Sequence, residues 1–364
     1  MKRHFYILLT IFFSNVIFSQ NSEIIIEDLK PAYNENVFPT ISYSINSQIE
    51  AKLNTLLQLE NLEHLPNCFK INPFEKVAYD QERDYGSVHF YGYEKTITPD
   101  NILGLMLRGE ATGAYSETFE IYYNFDLRTG NKINLNEFLT KNGINALTNK
   151  LNQEVRNTIE AFVASVKENP SDDEDFVNEQ LDLYTTCLEG VELNSIAYYT
   201  YYFEKDSITF VRGRCSNHAM RAIDDLGSFK IKFSYNDIAE YSSKYAKGLL
   251  NGETKIYQLE SPEGKFYKGK IDNKYPITVL ISQVHTDNSL HIQYWYDKYK
   301  TPIEWNGNFL NNHFSLIEYD AYDEEKQKWV KKAAIEADLI ANKIIGTWTN
   351  LETNQIFELV LTEY

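Results

Sequence analysis

Thr118-Phe-Glu-Ile-Tyr-Tyr-Asn-Phe125 is the segment that decides the fold of the N-terminal part of the chain. Its hydrophobic side chains alternate with polar ones, which is typical of a strand with one buried face. The residues on that face are Phe119, Ile121, Tyr123 and Phe125. A turn sequence, Arg128-Thr-Gly-Asn131, follows, and Asn136-Glu-Phe-Leu139 predicts a short helix.

The flanking sequence predicts more helices and strands. Hydrophobic residues recur at spacings of three and four within Ile144–Val166, and Pro170 lies just beyond that helix. Helices are also predicted over Ile45–Leu57, Asp175–Cys187 and Asn236–Ser242, and strands over Ser87–Tyr93, Ile102–Leu107, Ser195–Phe203, Ser207–Val211 and Phe229–Phe233. Without a regular βαβ alternation, these elements indicate an α+β domain over residues 37–250, with helices on an antiparallel sheet.

The character of the sequence changes after Gly248–Gly252, which we interpret as a linker. About eight short strands are predicted, over Lys265–Ile271, Ile277–Val284, Leu290–Tyr296, Ile303–Trp305, Phe314–Tyr319, Ala333–Leu339, Lys343–Thr349 and Ile356–Leu361. Trp329–Ile340 also fits a helix, but we predict a strand there. Residues 254–364 are therefore expected to form an all-β meander or small barrel domain.

The first residues have the layout of a secretory signal peptide. Lys2 and Arg3 precede the apolar run Phe5–Phe18, and Ser19 and Gln20 offer a cleavage site. We expect residues 1–19 to be removed and residues 20–36 to form a leader segment. The apolar run is shorter than the ~20 residues that cross a bilayer, and no later stretch approaches that length. The mature protein is expected to be exported, either periplasmic or extracellular, with no membrane span.

The charge of the chain limits its partners. The formal net charge is −17, and loss of Lys2 and Arg3 would leave about −19. Nucleic acid is excluded as a partner, because that affinity depends on neutralising phosphates. The acidic surface suits a basic partner, although a merely solvated surface is the better explanation of the charge by itself. No cofactor is expected.

Three cysteines, Cys68, Cys187 and Cys215, remain after processing. Export favours disulfides, and three thiols leave one unpaired. Cys187 ends a predicted helix and Cys215 follows a predicted strand, so a bridge between them is our candidate. It would close a loop of about 28 residues and stabilise the fold by roughly 3 kcal/mol. Pairing of Cys68 with either of the others stays open.

The segment Ser116–Leu139, preceded by Gly109-Glu-Ala-Thr-Gly-Ala-Tyr115, resembles a domain of unknown function. That family occurs in the extracellular, lysozyme-binding part of the anti-sigma factor RsiV and in the peptidoglycan deacetylase PdaC. The motif that carries the resemblance is Asn124-Phe-Asp-Leu-Arg-Thr-Gly130, and Phe229-Lys-Ile-Lys-Phe-Ser-Tyr235 resembles the end of the domain. The C-terminal part, with Tyr294-Trp-Tyr296 and Ile345-Gly-Thr-Trp348, resembles a β-rich module of exported bacterial proteins.

The resemblance implies a cell-envelope domain that binds lysozyme or a glycan, without catalysis. Tyr115 stands where the family often has histidine, and neither a sigma-binding segment nor a deacetylase domain is present. We therefore expect a contact region in the loop that contains Gly109, Glu110, Thr112, Gly113 and Tyr115. We name no catalytic residue and no metal ligand.

Other chemical motifs are weak. Cys215 and His218 are three residues apart, but a disulfide cysteine beside a loop histidine explains them better than a catalytic pair. Asp172–Asp175 lacks the spacing of a calcium loop and fits a solvated helix start.

Trp295 lies between two tyrosines on a predicted strand, so it points opposite to them and is our candidate exposed aromatic. Two alternatives to a protein partner are kept. One is glycan or peptidoglycan binding through stacked aromatics, and the other is a glycan hydrolase with an unrecognised pair of carboxylates.

Overall fold

The computed structural model describes residues 24–79, 87–113, 115–191 and 195–364. The predicted signal peptide and residues 20–23 of the predicted leader lie outside the described residues. The N-terminal part contains β1 (Ile24–Asp28), β2 (Pro39–Tyr43), α1 (Ser47–Leu62), β3 (Ser87–Thr96), β4 (Ile102–Thr112), β5 (Ser116–Asp126), β6 (Asn131–Lys132), α2 (Leu135–Phe138), α3 (Lys141–Glu168), α4 (Glu174–Val191), β7 (Tyr199–Phe203), β8 (Ser207–Arg212), β9 (Phe229–Ser234) and α5 (Lys244–Leu250). We call residues 24–250 the α+β domain.

The C-terminal part consists of eight strands, β10 (Lys265–Ile271), β11 (Tyr275–Val284), β12 (Ser289–Tyr296), β13 (Ile303–Leu310), β14 (His313–Asp323), β15 (Lys328–Ile340), β16 (Lys343–Asn350) and β17 (Ile356–Glu363). They pair antiparallel in sequence order, and β10 pairs with β17, so the sheet closes into a barrel. The α+β domain holds a two-stranded sheet (β1–β2), a four-stranded sheet (β3–β6) and a three-stranded sheet (β7–β9). The predicted fold class, α+β followed by a small barrel, is confirmed.

Helix α3 shows how the sequence pattern builds the core. Its first turn is capped by Thr140, whose Oγ1 accepts a hydrogen bond from the backbone N–H of Gly143 at 3.0 Å. The apolar stripe at spacings of three and four is fully buried and comprises Leu147, Leu151, Val155 and Ile159. Burial of each such side chain contributes about 1.5–3 kcal/mol, so this stripe, and not helix propensity, holds α3 against α4 and the three-stranded sheet.

The family-like motif Asn124–Gly130 has a structural role. The Asn124 side chain bonds the backbone of β7 twice, through the Tyr201 oxygen at 2.9 Å and the Phe203 nitrogen at 3.2 Å, and thereby joins the two larger sheets. The Asp126 carboxylate accepts from the Arg128 guanidinium at 2.8 and 2.6 Å, and both side chains are almost fully buried. The motif therefore fixes the turn after β5 and the relative position of the sheets.

The barrel interior is apolar except for one carboxylate. Glu318 is fully buried, and its Oε2 accepts hydrogen bonds from the Tyr294 hydroxyl at 2.7 Å and from two indole N–H groups. Lys332 Nζ lies 2.8 Å from Oε1. Because Tyr294 points inward, Trp295 points outward, as the alternation predicts.

The outer face of the barrel packs on the α+β domain. Phe266, Leu280 and Trp295 belong to the same apolar core as Leu53 and Leu57 of α1. The two parts of the chain therefore share buried surface.

Two local predictions are wrong. Residues 236–242, predicted as a helix, form turns, because Asp237 Oδ2 accepts from the N–H and hydroxyl of Ser234 at 3.0 and 2.7 Å and closes a tight turn. The helix begins later, at α5, and Gly248 of the predicted linker lies inside it. The predicted strand Ser195–Phe203 begins only at Tyr199, after a short 3₁₀ helix at Ile196–Tyr198.

Candidate functional site

The predicted contact region is the end of the β4–β5 hairpin. Gly109, Glu110 and Thr112 lie within strand β4, so the expectation of a loop beginning at Gly109 is wrong; the connection between the strands begins at Gly113. The strands pair in register up to Thr112 and Ser116, which extends the hairpin beyond the predicted strands. Tyr115 is 61% exposed at the tip.

The tip contacts a second segment, distant in sequence. The Tyr115 ring stacks on His218, with centroids 4.2 Å apart and planes at 12°. Glu117 Oε1 lies 3.2 Å from His218 Nδ1 and 2.9 Å from an Arg221 nitrogen. His218 and Arg221 lie in a 3₁₀ helix, residues 218–223, so the hairpin tip is attached to the loop that follows β8.

The predicted disulfide anchors that loop. Cys187, four residues before the end of α4, is bonded to Cys215, with Cα atoms 5.5 Å apart, which confirms the predicted pair and removes the thiol from any Cys–His catalytic pair. Cys68 is free and partly buried. Asp224 holds the same loop, because its carboxylate accepts from Ser216, Tyr184 and Gly227. Burial alone would raise the pKa of Asp224, but these hydrogen bonds outweigh it and lower the pKa.

A groove with a volume of about 500 Å³ lies beside the hairpin, between the four-stranded and three-stranded sheets. We call it the hairpin groove. Its aromatic walls are Phe90, Phe119, Tyr122 and Tyr198, and its cationic residues are Arg108, Arg214, Arg221 and Lys230. Glu120 is the acidic residue among those that line it. The four cationic side chains therefore outnumber the acid in a chain whose net charge is −17.

The cationic groups of the hairpin groove are only partly neutralised. Arg108 pairs with Glu94 at 2.9 Å, Arg221 pairs with Glu117 at 2.9 Å, and Lys230 lies 3.7 Å from Glu120. The Nε of Arg221 is buried and has no hydrogen-bond partner among the described residues. Arg214 is exposed and forms no ion pair within the part of the chain that the structure describes. The groove thus offers guanidinium donors for carboxylate or phosphate oxygens.

The sequence did not identify these cationic residues. Arg214 and Arg221 follow β8 and come together with Arg108 of β4 only because the two sheets lie side by side. Two predicted contact residues lie near this place: Gly109 lines the groove, and Tyr115 stacks on His218.

Trp295 is not exposed, contrary to the expectation for an aromatic sugar platform. Only 7% of its surface is accessible, because α1 covers the outward face of β12. Trp295 instead lines a cavity between α1 and the barrel.

The acidic run Asp172–Asp175 starts α4. Asp173 Oδ1 accepts from the backbone N–H of Phe176 at 3.1 Å, which is a helix-capping contact. Within the described residues, no group of three or more histidine, cysteine or acidic side chains is arranged to hold a metal ion. Across the same residues, no helix has both the length and the apolar character needed to cross a membrane.

No family model matches the chain, and no curated protein matches it. One similar solved structure is the crystal structure of a member of the DUF3298 family from Bacteroides fragilis. It is 14% identical, covers 64% of this chain and 94% of its own, and superposes with a TM-score of 0.34. The link to the RsiV and PdaC domains stays a prediction.

Proposed function

We propose that this protein is a non-enzymatic binding protein of the cell envelope, and that its hairpin groove binds a carboxylate-bearing glycan such as peptidoglycan. The observation that carries the proposal is the reversal of charge at this groove. Arg108, Arg214, Arg221 and Lys230 line it against the single acid Glu120, although the chain as a whole has a net charge of −17. A net negative charge is sufficient for solubility, so solubility does not explain the clustering of cationic side chains in a concave surface.

The aromatic walls add a second requirement for the ligand. Tyr198 is 64% exposed and Phe90 36% exposed, so both offer ring faces to an occupant. Tyr122 is fixed by stacking on Tyr202, with centroids 4.8 Å apart. Rigid rings beside guanidinium groups suit a chain that alternates apolar sugar faces with carboxylates.

The test is co-sedimentation of the mature protein with insoluble peptidoglycan, using chitin as an insoluble glycan without carboxylates. We expect binding to peptidoglycan only, with an affinity that falls as salt is added. Arg214→Ala removes an exposed cation of the groove and should weaken binding about tenfold, the loss expected for one charge-assisted hydrogen bond.

Matched controls separate the groove from the rest of the surface. Arg156→Ala changes an arginine on α3, and Tyr299→Ala changes a tyrosine of the barrel that is 68% exposed; both should bind as the wild type does. Tyr198→Ala should weaken binding. Equal binding to chitin, or equal losses in Arg214→Ala and Arg156→Ala, would refute the proposal.

A second candidate is a basic protein partner such as lysozyme. The observation that favours it is the net charge of −17, together with the acidic Glu117 beside the exposed Tyr115 at the hairpin tip. Calorimetry with lysozyme at low and at physiological salt tests it. Micromolar binding that persists at physiological salt and is lost in Tyr115→Ala supports this candidate, whereas binding at low salt alone reflects general attraction between opposite charges.

Export to the periplasm or beyond the cell is part of the proposal. The Cys187–Cys215 disulfide supports it, because disulfides persist in oxidising compartments. Cell fractionation with detection of a precursor and a shorter mature form tests it.

A further inference from the structure

A second cavity, separate from the hairpin groove, lies between the α+β domain and the barrel. Its volume is about 520 Å³, and residues of β2, α1, β10, β11 and β12 line it. Small-molecule sites commonly measure about 300–1,000 Å³ and often lie where two domains meet. We call it the interdomain cavity.

The barrel side of the interdomain cavity supplies aromatic surface. Trp295 and Tyr364 both line it; Trp295 is only 7% exposed, whereas Tyr364 is partly exposed. Lys268 Nζ lies 3.8 Å from the centre of the Tyr364 ring, which holds that ring in place. An occupant therefore meets the partly exposed ring of Tyr364 beside the nearly buried Trp295.

The opposite wall contains an amide oxygen that has no hydrogen-bond partner among the described residues. Gln58 of α1 is 2% exposed and lines the cavity, and its Oε1 has no hydrogen-bond partner among the described residues. Asn54, one turn earlier, differs sharply: its amide group accepts from the Ile41 N–H at 2.8 Å and donates to the Ile41 oxygen at 2.7 Å. The same helix face therefore carries one amide used for structure and one whose oxygen has no partner among the described residues.

A buried amide oxygen without a hydrogen-bond partner indicates that a donor is missing. Nearly all buried polar groups in folded proteins are hydrogen-bonded, and each exception calls for an explanation. The oxygen and nitrogen of an amide side chain can also be exchanged by rotation, so the partner must satisfy either atom. A hydroxyl group does so, because it both donates and accepts.

The charges around the interdomain cavity favour a neutral occupant. Two acids, Glu50 and Asp297, face two cations, Lys268 and Lys300. Glu50 is already bonded to the Tyr43 N–H at 2.7 Å. Asp297 accepts from the Thr278 hydroxyl at 2.7 Å and keeps further acceptor positions for hydroxyl donors.

We propose that the interdomain cavity binds a neutral sugar of one or two rings, packed against the wall formed by Trp295 and Tyr364, with Gln58 bonded to a hydroxyl. This site does not depend on the proposed function of the hairpin groove, since the two share no lining residue. It would make the protein a binder of glycan at two places.

The experiment uses the whole mature protein and three neutral disaccharides, N,N′-diacetylchitobiose, cellobiose and maltose, each titrated by calorimetry and by saturation-transfer NMR. We expect one of them to bind. Gln58→Met keeps the shape of the side chain and removes the amide, so affinity should fall about tenfold. The same variant should unfold at the same temperature as the wild type or higher, because it removes a buried polar group that has no partner.

Gln293→Met is the matched control. The Oε1 of Gln293 is also buried without a partner, but this residue lines a different groove. Its substitution should leave sugar affinity unchanged. Asp297→Asn provides a second variant on the barrel side and should weaken binding.

Three outcomes overturn the inference. One is the absence of binding by all three disaccharides, which would mean that water alone satisfies Gln58. Another is unchanged affinity in Gln58→Met with a normal unfolding temperature. The last is an equal loss of affinity in Gln293→Met. Failure of peptidoglycan binding at the hairpin groove would leave this result untouched, so the two proposals fail separately.

Discussion

Arg128 is the residue whose removal should damage the fold most clearly. Its guanidinium donates to both oxygens of Asp126 at 2.8 and 2.6 Å and to the backbone oxygens of Glu253 and Lys255 at 3.2 and 3.0 Å. The two charged side chains are 6% and 3% exposed. Arg128 therefore connects the turn after β5 to the segment that leads into the barrel.

The change Arg128→Met leaves the Asp126 carboxylate buried with no cation. Loss of one partner of a buried ion pair costs about 3–5 kcal/mol, because the remaining charge keeps its desolvation penalty. For a domain of this size, each kcal/mol lowers the unfolding temperature by about 2–4 °C, so we expect a decrease of about 6–20 °C.

Guanidinium denaturation followed by fluorescence measures the loss of unfolding free energy, and calorimetry measures the unfolding temperature. Arg156→Met is the control: its ion pair with Glu160 is at the surface of α3, and its removal should cost under about 1 kcal/mol. The double variant Asp126→Asn, Arg128→Met should lose less than the sum of the single variants, because the unpaired charge is gone. A loss under about 1 kcal/mol in Arg128→Met, or strictly additive losses, would refute the reasoning.

Three further predictions concern stability. Burial raises the pKa of Glu137 to about 7 from an ordinary 4.5, so the folded state holds this proton more tightly than the unfolded state does. The free energy of unfolding should therefore fall by about 3 kcal/mol as pH rises from 4.5 to 7. In chemical denaturation at a series of pH values, Glu137→Gln should remove this pH dependence. Cys187→Ala with Cys215→Ala should lower the free energy of unfolding by about 3–4 kcal/mol in chemical denaturation, because the open chain gains loop entropy. In Gly269→Ala the added Cβ would lie 1.9 Å from the Val360 oxygen where β10 meets β17, so circular dichroism during heating should show a less stable barrel.

The elements that the sequence predicted well are those with regular patterns. The eight C-terminal strands are predictable because short strand-like runs recur at regular spacing and most of the turns between them carry asparagine. Helix α3 is predictable because its apolar stripe is long. The helix predicted at residues 236–242 fails because Asp237 bonds the backbone locally, and such short-range competition is weakly visible in periodicity.

The candidate sites were much less predictable. Tyr115 was singled out by resemblance, yet its stacking partner His218 lies far along the chain. The alternation along the strand correctly predicts that Trp295 points outward, but it does not predict that helix α1 covers this side chain. Side-chain direction follows from strand geometry, whereas coverage depends on which element packs above it.

The sequence by itself determined the α+β and all-β character of the two parts and the acidic charge, and it favoured the pairing of Cys187 with Cys215. These features depend on local spacing, on composition or on a short loop. Only the tertiary structure decided that β10 pairs with β17, that Arg108, Arg214 and Arg221 line one groove, and that Gln58 faces a cavity without a partner. These features arise from contacts between residues that are distant in sequence. The packing of whole sheets and helices sets the geometry of such contacts, and no local sequence pattern encodes that geometry.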